Sequence, residues 1–178
     1  MKKIFICLIG AIILFAWNAI SWMGLPFHAN SLKTIPDQAI NFSLLQEELP
    51  EDGIYHYPGL DTKDMATRLA NGPRIPFMVY IKGKTSVFDP SSFAKNFLFN
   101  LISATLLFIL IGKLSNHSLS SILTSSLVIG LIVGFASDFP QMNWYMHPFS
   151  YTLINVFDYL IGFLLLGFFF SRFAFKKG

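Results

Sequence analysis

The sequence contains little charge and a single cysteine. Only 13% of its 178 residues are charged, about half the share found in ordinary soluble domains. Low charge together with 53% hydrophobic residues is typical of a chain that lies in a lipid bilayer. Because Cys7 has no second cysteine to pair with, an internal disulfide is excluded, and we expect Cys7 to be a buried apolar residue.

Patterns that mark common catalytic and cofactor sites are also lacking. The sequence has no Gly-rich phosphate loop, no His-Glu-x-x-His or Gly-x-Ser-x-Gly motif, and no paired cysteines with metal-ligand spacing. The net charge of +3 comes from basic residues that flank apolar runs, which indicates membrane topology rather than a nucleic-acid-binding face. We therefore expect a non-enzymatic protein with no cofactor and no nucleic-acid partner.

Four apolar segments are long enough to cross a bilayer, which takes roughly 17–25 residues of helix. The first begins with basic residues, as a cleaved signal peptide does, but its length and the residues Trp17 and Trp22 favour an uncleaved signal anchor. The predicted fold class is a membrane all-α bundle of four transmembrane helices, with a small extracytoplasmic α/β domain inserted between helices 1 and 2. The predicted spans are residues 1–23, 96–112, 119–137 and 151–170.

The distribution of lysine and arginine predicts the orientation of these spans. Residues 113–118 and 171–178 carry basic residues and no acidic ones, whereas residues 138–150 contain no lysine or arginine. We therefore expect both termini in the cytoplasm and residues 24–95 outside. Aromatic residues typical of the membrane interface fall at the outer boundary: Trp22, Trp144, Tyr145 and Tyr151. The basic residues assigned to the cytoplasmic side are Lys2, Lys3, Lys113, Arg172, Lys176 and Lys177.

The segment 24–95 has the pattern of a small α/β domain. Apolar residues at helical spacing predict a helix over residues 37–49, and a second helix is predicted to begin near Asp61 and to end at Asn71. Strands are predicted at residues 53–57 and 75–81. A domain this small without disulfides has a marginal core, so we expect it to lean on the membrane helices or on a partner.

Asp158 is the most unusual residue of the predicted spans. It lies about 10 Å below the outer boundary, at a helical rise of about 1.5 Å per residue, where a carboxylate needs a partner, a proton or water. Asn155 precedes it on the same helix face, and Asn18 and Asn100 lie at a similar depth on other helices. These four residues are predicted to form one polar layer. It is either a proton or ion relay or small-ligand site, or a set of hydrogen bonds that hold the helices together.

His28 and His147 occur in two similar segments, each with a Trp and a Pro-Phe pair beside the histidine. If the segments meet, the two histidines could share a metal, bind a haem or hydrogen-bond a quinone head group. His56 and Asp138 are the residues available to complete a zinc site. The alternative is that both histidines simply lie among lipid head groups.

Small residues recur every four positions in the third predicted helix, which allows close approach of a neighbouring helix. They are Ser126, Gly130 and Gly134. Because three other helices are available within the chain, we expect this stripe to pack inside the bundle rather than against a second copy.

Several short motifs resemble those of a family of small uncharacterised bacterial inner-membrane proteins. They are the run from Ser21 to His28 with its Trp-x-x-Leu-Pro-Phe-His segment, the Gly72-Pro73 turn, and the run from Trp144 through Asp158 to Gly162. The resemblance implies a bacterial inner membrane and this four-helix layout. It implies no activity and assigns no functional residue.

The sequence therefore predicts an accessory or structural component of the bacterial inner membrane. Its partners would be the lipid bilayer and another membrane or periplasmic protein, to which the outer domain is presented. The alternative is a small carrier, or a metal- or redox-handling protein, that uses the polar layer around Asp158. An exchange of Asp158 for asparagine separates the two, because hydrogen bonds between helices largely survive an isosteric amide and a proton-coupled function does not.

Overall fold

A computed structural model describes residues 2–59, 63–83, 86 and 88–175. The chain is mostly helical, with one small two-stranded sheet. Four of its helices are long and apolar enough to cross a membrane, judged by length and composition. This finding indicates a multi-pass membrane protein. The elements are α1 (Lys2–Ala19), α2 (Phe27–Ser31), α3 (Phe42–Glu48), β1 (Gly53–Tyr57), α4 (Met65–Asn71), β2 (Ile75–Tyr80), α5 (Pro90–Ile111), α6 (Leu119–Tyr145) and α7 (Phe149–Phe173).

The four long helices form a bundle in which α1 lies between α5 and α7, and α6 packs along α7. We call the end at which α1 finishes and α5 begins the domain end. Buried apolar side chains fill the opposite half of the bundle, where α5 and α7 meet through Phe108 and Phe170, with ring centroids 5.5 Å apart. The main members of this core are Ile6, Ala104, Leu107, Ile111, Ile122, Leu166 and Phe170.

Three of the long helices extend beyond the predicted spans, α7 by two residues at its start and three at its end. The second span is predicted to begin at residue 96, but α5 begins at Pro90, because the Asp89 side chain caps it and accepts hydrogen bonds from the backbone amides of Ser91 and Ser92. The analysis also places a loop at residues 138–150, whereas α6 continues to Tyr145. The extension of α6 is possible because Asp138 is buried between helices instead of solvated.

The cap at Asp89 gives a pH-dependent prediction. Hydrogen bonds from Ser91 and Ser92 lower the pKa of Asp89 from 3.8 to about 2. A lowered pKa in the folded state means that the cap is fully stabilising above pH 3.8 and is lost as the pH falls through about 2. The protection factor of the Ser92 amide, which is the exchange rate corrected for its intrinsic pH dependence, is therefore expected to be high at pH 5 and to fall towards pH 2. In Asp89→Asn, this fall should disappear; an unchanged profile would contradict the assignment.

The segment between α1 and α5 contains less regular structure than its sequence pattern predicts. The predicted helix over residues 37–49 is divided into a 3-10 turn (Asp37–Ala39) and α3, because Asn41 caps α3 through its side-chain oxygen and the Leu44 amide, 3.1 Å away. Strands β1 and β2 pair antiparallel, with Ile54 opposite Val79. The proposed cap at Asp61 lies outside the described residues, and α4 begins at Met65.

This segment has no hydrophobic core of its own. Among the described residues from 32 to 99, Pro58 is the only apolar side chain that is buried, whereas the helical bundle contains a continuous buried cluster. The fold of the segment therefore depends on backbone hydrogen bonds, on caps and on contacts with the end of α6, where the rings of Phe77 and Tyr145 lie 5.0 Å apart.

Candidate functional site

A change in helix geometry at the end of α1 builds the site. Residues Ile20–Gly24 form a π-helical turn that closes with a 2.9 Å hydrogen bond from the Leu25 amide to the Ile20 carbonyl. Turns of this kind often occur at functional sites. The chain then reverses at Pro26, and the short helix α2 packs back against α7. The reversal carries His28 into the bundle instead of leaving it beyond the end of α1.

Asp158 of α7 is the centre of the resulting cluster. Its Oδ2 lies 2.7 Å from His28 Nε2, and its Oδ1 accepts a 2.6 Å hydrogen bond from the Ser21 hydroxyl. The indole of Trp17 donates to the Asp158 backbone carbonyl at 3.1 Å. The His28 and Asp158 side chains are 2% and 13% exposed. Both carboxylate oxygens are thus engaged by neighbours from a different part of the chain.

His28 is held in place from two sides. Its ring stacks on that of Trp22, with centroids 3.8 Å apart and planes inclined by 15°, while Nε2 faces the carboxylate. His28 Nδ1 is buried and has no hydrogen-bond partner among the described residues. With a neutral imidazole, this arrangement places the proton on Nε2, where it is donated to Asp158, and leaves Nδ1 as the free acceptor.

The four residues predicted to form one polar layer make separate contacts. Asn18 donates to Asn100 at 3.2 Å, and Asn100 donates to Asn96 at 3.4 Å. Asn155 donates to Asp138 at 2.9 Å, and Asp158 pairs with His28 and Ser21 as described above. Asn18, Asn155 and Asp158 nevertheless border the same cavity at the domain end, which has a volume of about 520 Å³. We call it the polar cavity; its lining is Phe15, Asn18, Ala19, Trp22, Met23, Phe93, Asn96, Asn155, Asp158 and Tyr159.

Asp138 is a second acid within the helices that the sequence analysis places in a loop. It is 5% exposed, it accepts the hydrogen bond from Asn155, and its Oδ2 is buried without a partner. A signal for this position is present in the sequence: Asp138 lies four residues beyond Gly134 and so continues the spacing of the small-residue stripe. The spacing predicts that Asp138 shares the face of α6 that is covered by α7.

The small-residue stripe of α6 lies against α7. A Cβ atom added at Gly130 would be 3.1 Å from the Leu160 Cα, and one added at Gly134 would be 2.8 Å from Val156 Cγ2. Ser126 is fully buried and lies against Gly167. These distances leave no room for side chains, so the three small residues allow the close approach of α6 and α7.

His28 and His147 have different neighbours in the structure. The ring of His147 lies near those of Phe77 and Tyr151, at centroid distances of 6.3 and 5.6 Å, whereas His28 lies against Trp22 and Asp158. His56 Nδ1 lies 3.1 Å from the Pro58 carbonyl oxygen. Within the described ranges, no group of three or more His, Cys, Asp or Glu residues could hold a metal ion.

Ser92 and Lys95 have the Ser-x-x-Lys spacing that occurs in some serine hydrolases. Both residues are exposed in the first turn of α5, and the Ser92 hydroxyl donates to Asp89 at 2.8 Å. The hydroxyl therefore serves the helix cap, and no contact with Lys95 activates it among the described residues.

Comparison with known proteins adds no assignment, since no family model, no curated protein and no solved structure matches the chain. The class of the protein thus follows from its own features. It is a multi-pass helical membrane protein by the length and composition of its helices. Its particular feature is a carboxylate–imidazole contact buried beside a polar cavity at one end of the bundle.

Proposed function

We propose that this chain is a non-enzymatic accessory protein of the bacterial inner membrane, and that its segment between α1 and α5 docks on a second protein. The termini and the α5–α6 connection carry six lysines or arginines and no acidic residue, whereas residues 24–95 have a net charge of −1, which supports cytoplasmic termini and a periplasmic segment. The observation that carries the proposal is an uncovered apolar face of the two-stranded sheet.

The apolar sheet face consists of Ile54, Ile75, Phe77 and Val79. Ile54 and Val79 are opposite each other in the register and are 65% and 61% exposed. Side chains alternate between the two faces of a strand, so Phe77 shares the face of Val79. Ile75 lies beyond a register shift and borders the same groove as Ile54 and Phe77. A sheet face of this kind normally packs on a core. Phe77 packs on Tyr145 of α6, but Ile54 and Val79 stay largely exposed among the described residues, which supports a cover supplied by another molecule.

The apolar sheet face borders a groove of about 500 Å³ that is closed on its other sides by α4 and the end of α6. Met65 and Leu69 of α4 and Trp144 of α6 contribute apolar walls, and Arg74 is the only lysine or arginine in the lining. A groove with apolar walls and one charged residue fits an apolar side chain or short segment of a protein partner.

The charge of the segment favours a protein over the membrane surface as the occupant. Residues 24–95 contain seven Lys or Arg and eight Asp or Glu, a net charge of −1. Segments that bind anionic bilayer surfaces are strongly basic, and this one is not.

The proposal is tested with a pair of matched double variants. Ile54→Gln/Val79→Gln places two amides on the apolar sheet face, and Phe42→Gln/Leu44→Gln makes the same change at exposed positions of α3. All four side chains are more than half exposed, so neither variant is expected to lose much stability. After purification from native membranes at native expression level, a stoichiometric partner is expected with wild type and with the α3 variant, and a loss of at least about tenfold with the sheet variant.

Two results would contradict the docking function. One is equal recovery of the partner with both variants, which would exclude the apolar sheet face as the interface. The other is a well-folded protein with no partner at all. Thermal unfolding of both variants in detergent is the control, since a lower Tm of the sheet variant alone would indicate damage to the segment.

A small-ligand function of the bundle is the second candidate, and the polar cavity favours it. Asp158 borders the cavity with three asparagines and a tyrosine, and its volume is within the usual range for small-molecule sites, roughly 300–1,000 Å³. The apolar core of the opposite half of the bundle separates these polar groups from the other membrane face. A binding site that serves one side of the membrane is therefore better supported than a relay across it.

A further inference from the structure

We propose that the polar cavity binds an organic cation, namely a primary or quaternary ammonium group. The inference rests on the second candidate function and adds the chemical class of the ligand. It does not depend on a protein partner of the apolar sheet face, which lies on other residues.

The position of the cavity follows from the packing of the bundle. Helices α5 and α7 meet at the opposite end, through Phe108 and Phe170. At the domain end, residues of both helices border the cavity: Phe93 and Asn96 from α5, and Asn155, Asp158 and Tyr159 from α7. Helix α1 forms the wall between them. The divergence of α5 and α7 thus opens a space of about 520 Å³ in which several polar groups are accessible.

Acidic side chains outnumber basic ones around this space. Asp158 borders the cavity, and Asp138 contacts Asn155, which also borders it. Among the described residues, His28 is the only basic side chain paired with either acid, and no lysine or arginine lines the cavity. An acidic side chain in a membrane helix needs a partner, and a bound cation would supply a further one to Asp158.

Both acceptors and donors line the cavity: Asp158, Asn18 and Asn155 provide oxygens, and Asn96 and Tyr159 provide an amide and a hydroxyl. Asn18 uses its Nδ2 to donate to Asn100, and Asn155 uses its Nδ2 to donate to Asp138. Among the described residues, no hydrogen bond is found to the side-chain oxygen of either asparagine. Together with the lone pairs of Asp158 they can accept hydrogen bonds from a primary ammonium group, which offers donors only. A quaternary ammonium group has no N–H, so its binding would rest on charge and on the aromatic walls.

The apolar walls distinguish an organic cation from a metal ion. Phe15, Trp22 and Phe93 line the cavity, and aromatic faces bind ammonium groups through cation–π attraction, most strongly on tryptophan. A metal ion needs a close set of three or more ligands, and the described residues offer no such set of His, Cys, Asp or Glu. An ammonium group can come from the head group of a membrane lipid or from a soluble amine.

The test uses the purified full chain in nanodiscs of phosphatidylglycerol, a lipid without an amine. In one arm, phosphatidylethanolamine is added to the lipid mixture and its retention on the protein is measured by native mass spectrometry. In the other arm, ethanolamine and choline are titrated from solution by calorimetry. Enrichment of phosphatidylethanolamine alone would support the inference with a lipid ligand, and saturable binding of either soluble amine would support it with a soluble ligand.

Three variants test whether the ligand binds in the polar cavity. Asp158→Asn keeps the shape of the side chain and removes its charge, so affinity is expected to fall at least about tenfold. Phe93→Leu removes an aromatic wall without touching His28 or Asp158 and is expected to weaken binding severalfold while the Tm is kept. Asp37→Asn, at an exposed position outside the cavity, is the matched control and should bind as wild type does.

The inference is overturned if neither arm shows binding, if phosphatidylglycerol is retained as well as phosphatidylethanolamine, or if Phe93→Leu and Asp158→Asn both bind as wild type. Because these measurements contain no partner protein, their failure leaves the docking test on the apolar sheet face unaffected.

Discussion

Replacing Asp158 with alanine is expected to lower the free energy of unfolding by about 3–5 kcal/mol, the range for removal of one member of a buried pair. The change leaves His28 Nε2 and the Ser21 hydroxyl without their acceptor, and both residues are almost fully buried. Asp158→Asn retains a side-chain oxygen that can accept one of these bonds, so a smaller loss is expected. Reversible unfolding in mixed micelles measures both effects.

A double-mutant cycle shows whether the loss comes from the contact with His28. If it does, His28→Ala and Asp158→Ala together should cost clearly less than the sum of the two single changes, with a coupling of about 0.5–3 kcal/mol for residues in direct contact. The matched control is Asp64→Ala, which removes an exposed carboxylate that has no side-chain cap bond. Additive costs for His28 and Asp158 would contradict the contact.

Replacing Gly134 with leucine is expected to cost about 3 kcal/mol, at the upper end of the usual range for overpacked sites. Even the first carbon of the new side chain would lie 2.8 Å from Val156 Cγ2, so α6 and α7 must separate. The separation also weakens the contact between Asn155 and Asp138. The expected result is a lower yield of folded protein and a lower Tm in detergent.

Ile132→Leu is the matched control for this prediction. It is two residues away on α6, it is 60% exposed, and the exchange conserves volume. Its Tm should stay close to that of wild type. A Gly134→Leu protein as stable as wild type would contradict the close packing of α6 on α7.

The membrane helices could be predicted from sequence because their signal is local. Each is a long apolar run, and its mean hydropathy depends on no contact elsewhere in the chain. The residues at which these helices begin and end could not be predicted as accurately as their existence. The start of α5 depends on a cap by Asp89, and the extension of α6 depends on the burial of Asp138 beside Asn155. A charged residue at the end of an apolar run gives the same hydropathy whether it is solvated or buried.

The candidate site could be predicted only in part. Asp158 is evident as an acid within an apolar segment, and His28 as part of an unusual segment after α1. Their contact joins positions 130 residues apart, and it forms because the π-turn and Pro26 reverse the chain. No periodicity in either segment contains that information. The interpretation of His28 as an interfacial residue was reasonable for its sequence and does not describe its burial against Asp158.

For the segment between α1 and α5, the strands could be predicted from sequence but the surroundings of the segment could not. Its strands could be predicted from β-branched and aromatic residues, and β1 and β2 pair as such strands do. The expectation of a marginal core follows from chain length, and from residue 32 to 89 the described part of the segment has one buried apolar side chain, Pro58. The sequence alone does not indicate which molecule or helix would pack against the exposed apolar residues of the segment. The side of the membrane on which the segment lies stays a prediction from charge.

Site-specific photo-crosslinking at Val79 tests the docking function most directly. A photoreactive phenylalanine analogue is placed at position 79 of the apolar sheet face in living cells, and the same analogue at Leu44 of α3 is the control. The account predicts one discrete protein adduct from position 79, absent or much weaker from position 44, and lost when Ile54 is changed to glutamine. Adducts with lipid alone, or equal protein adducts from both positions, would contradict it.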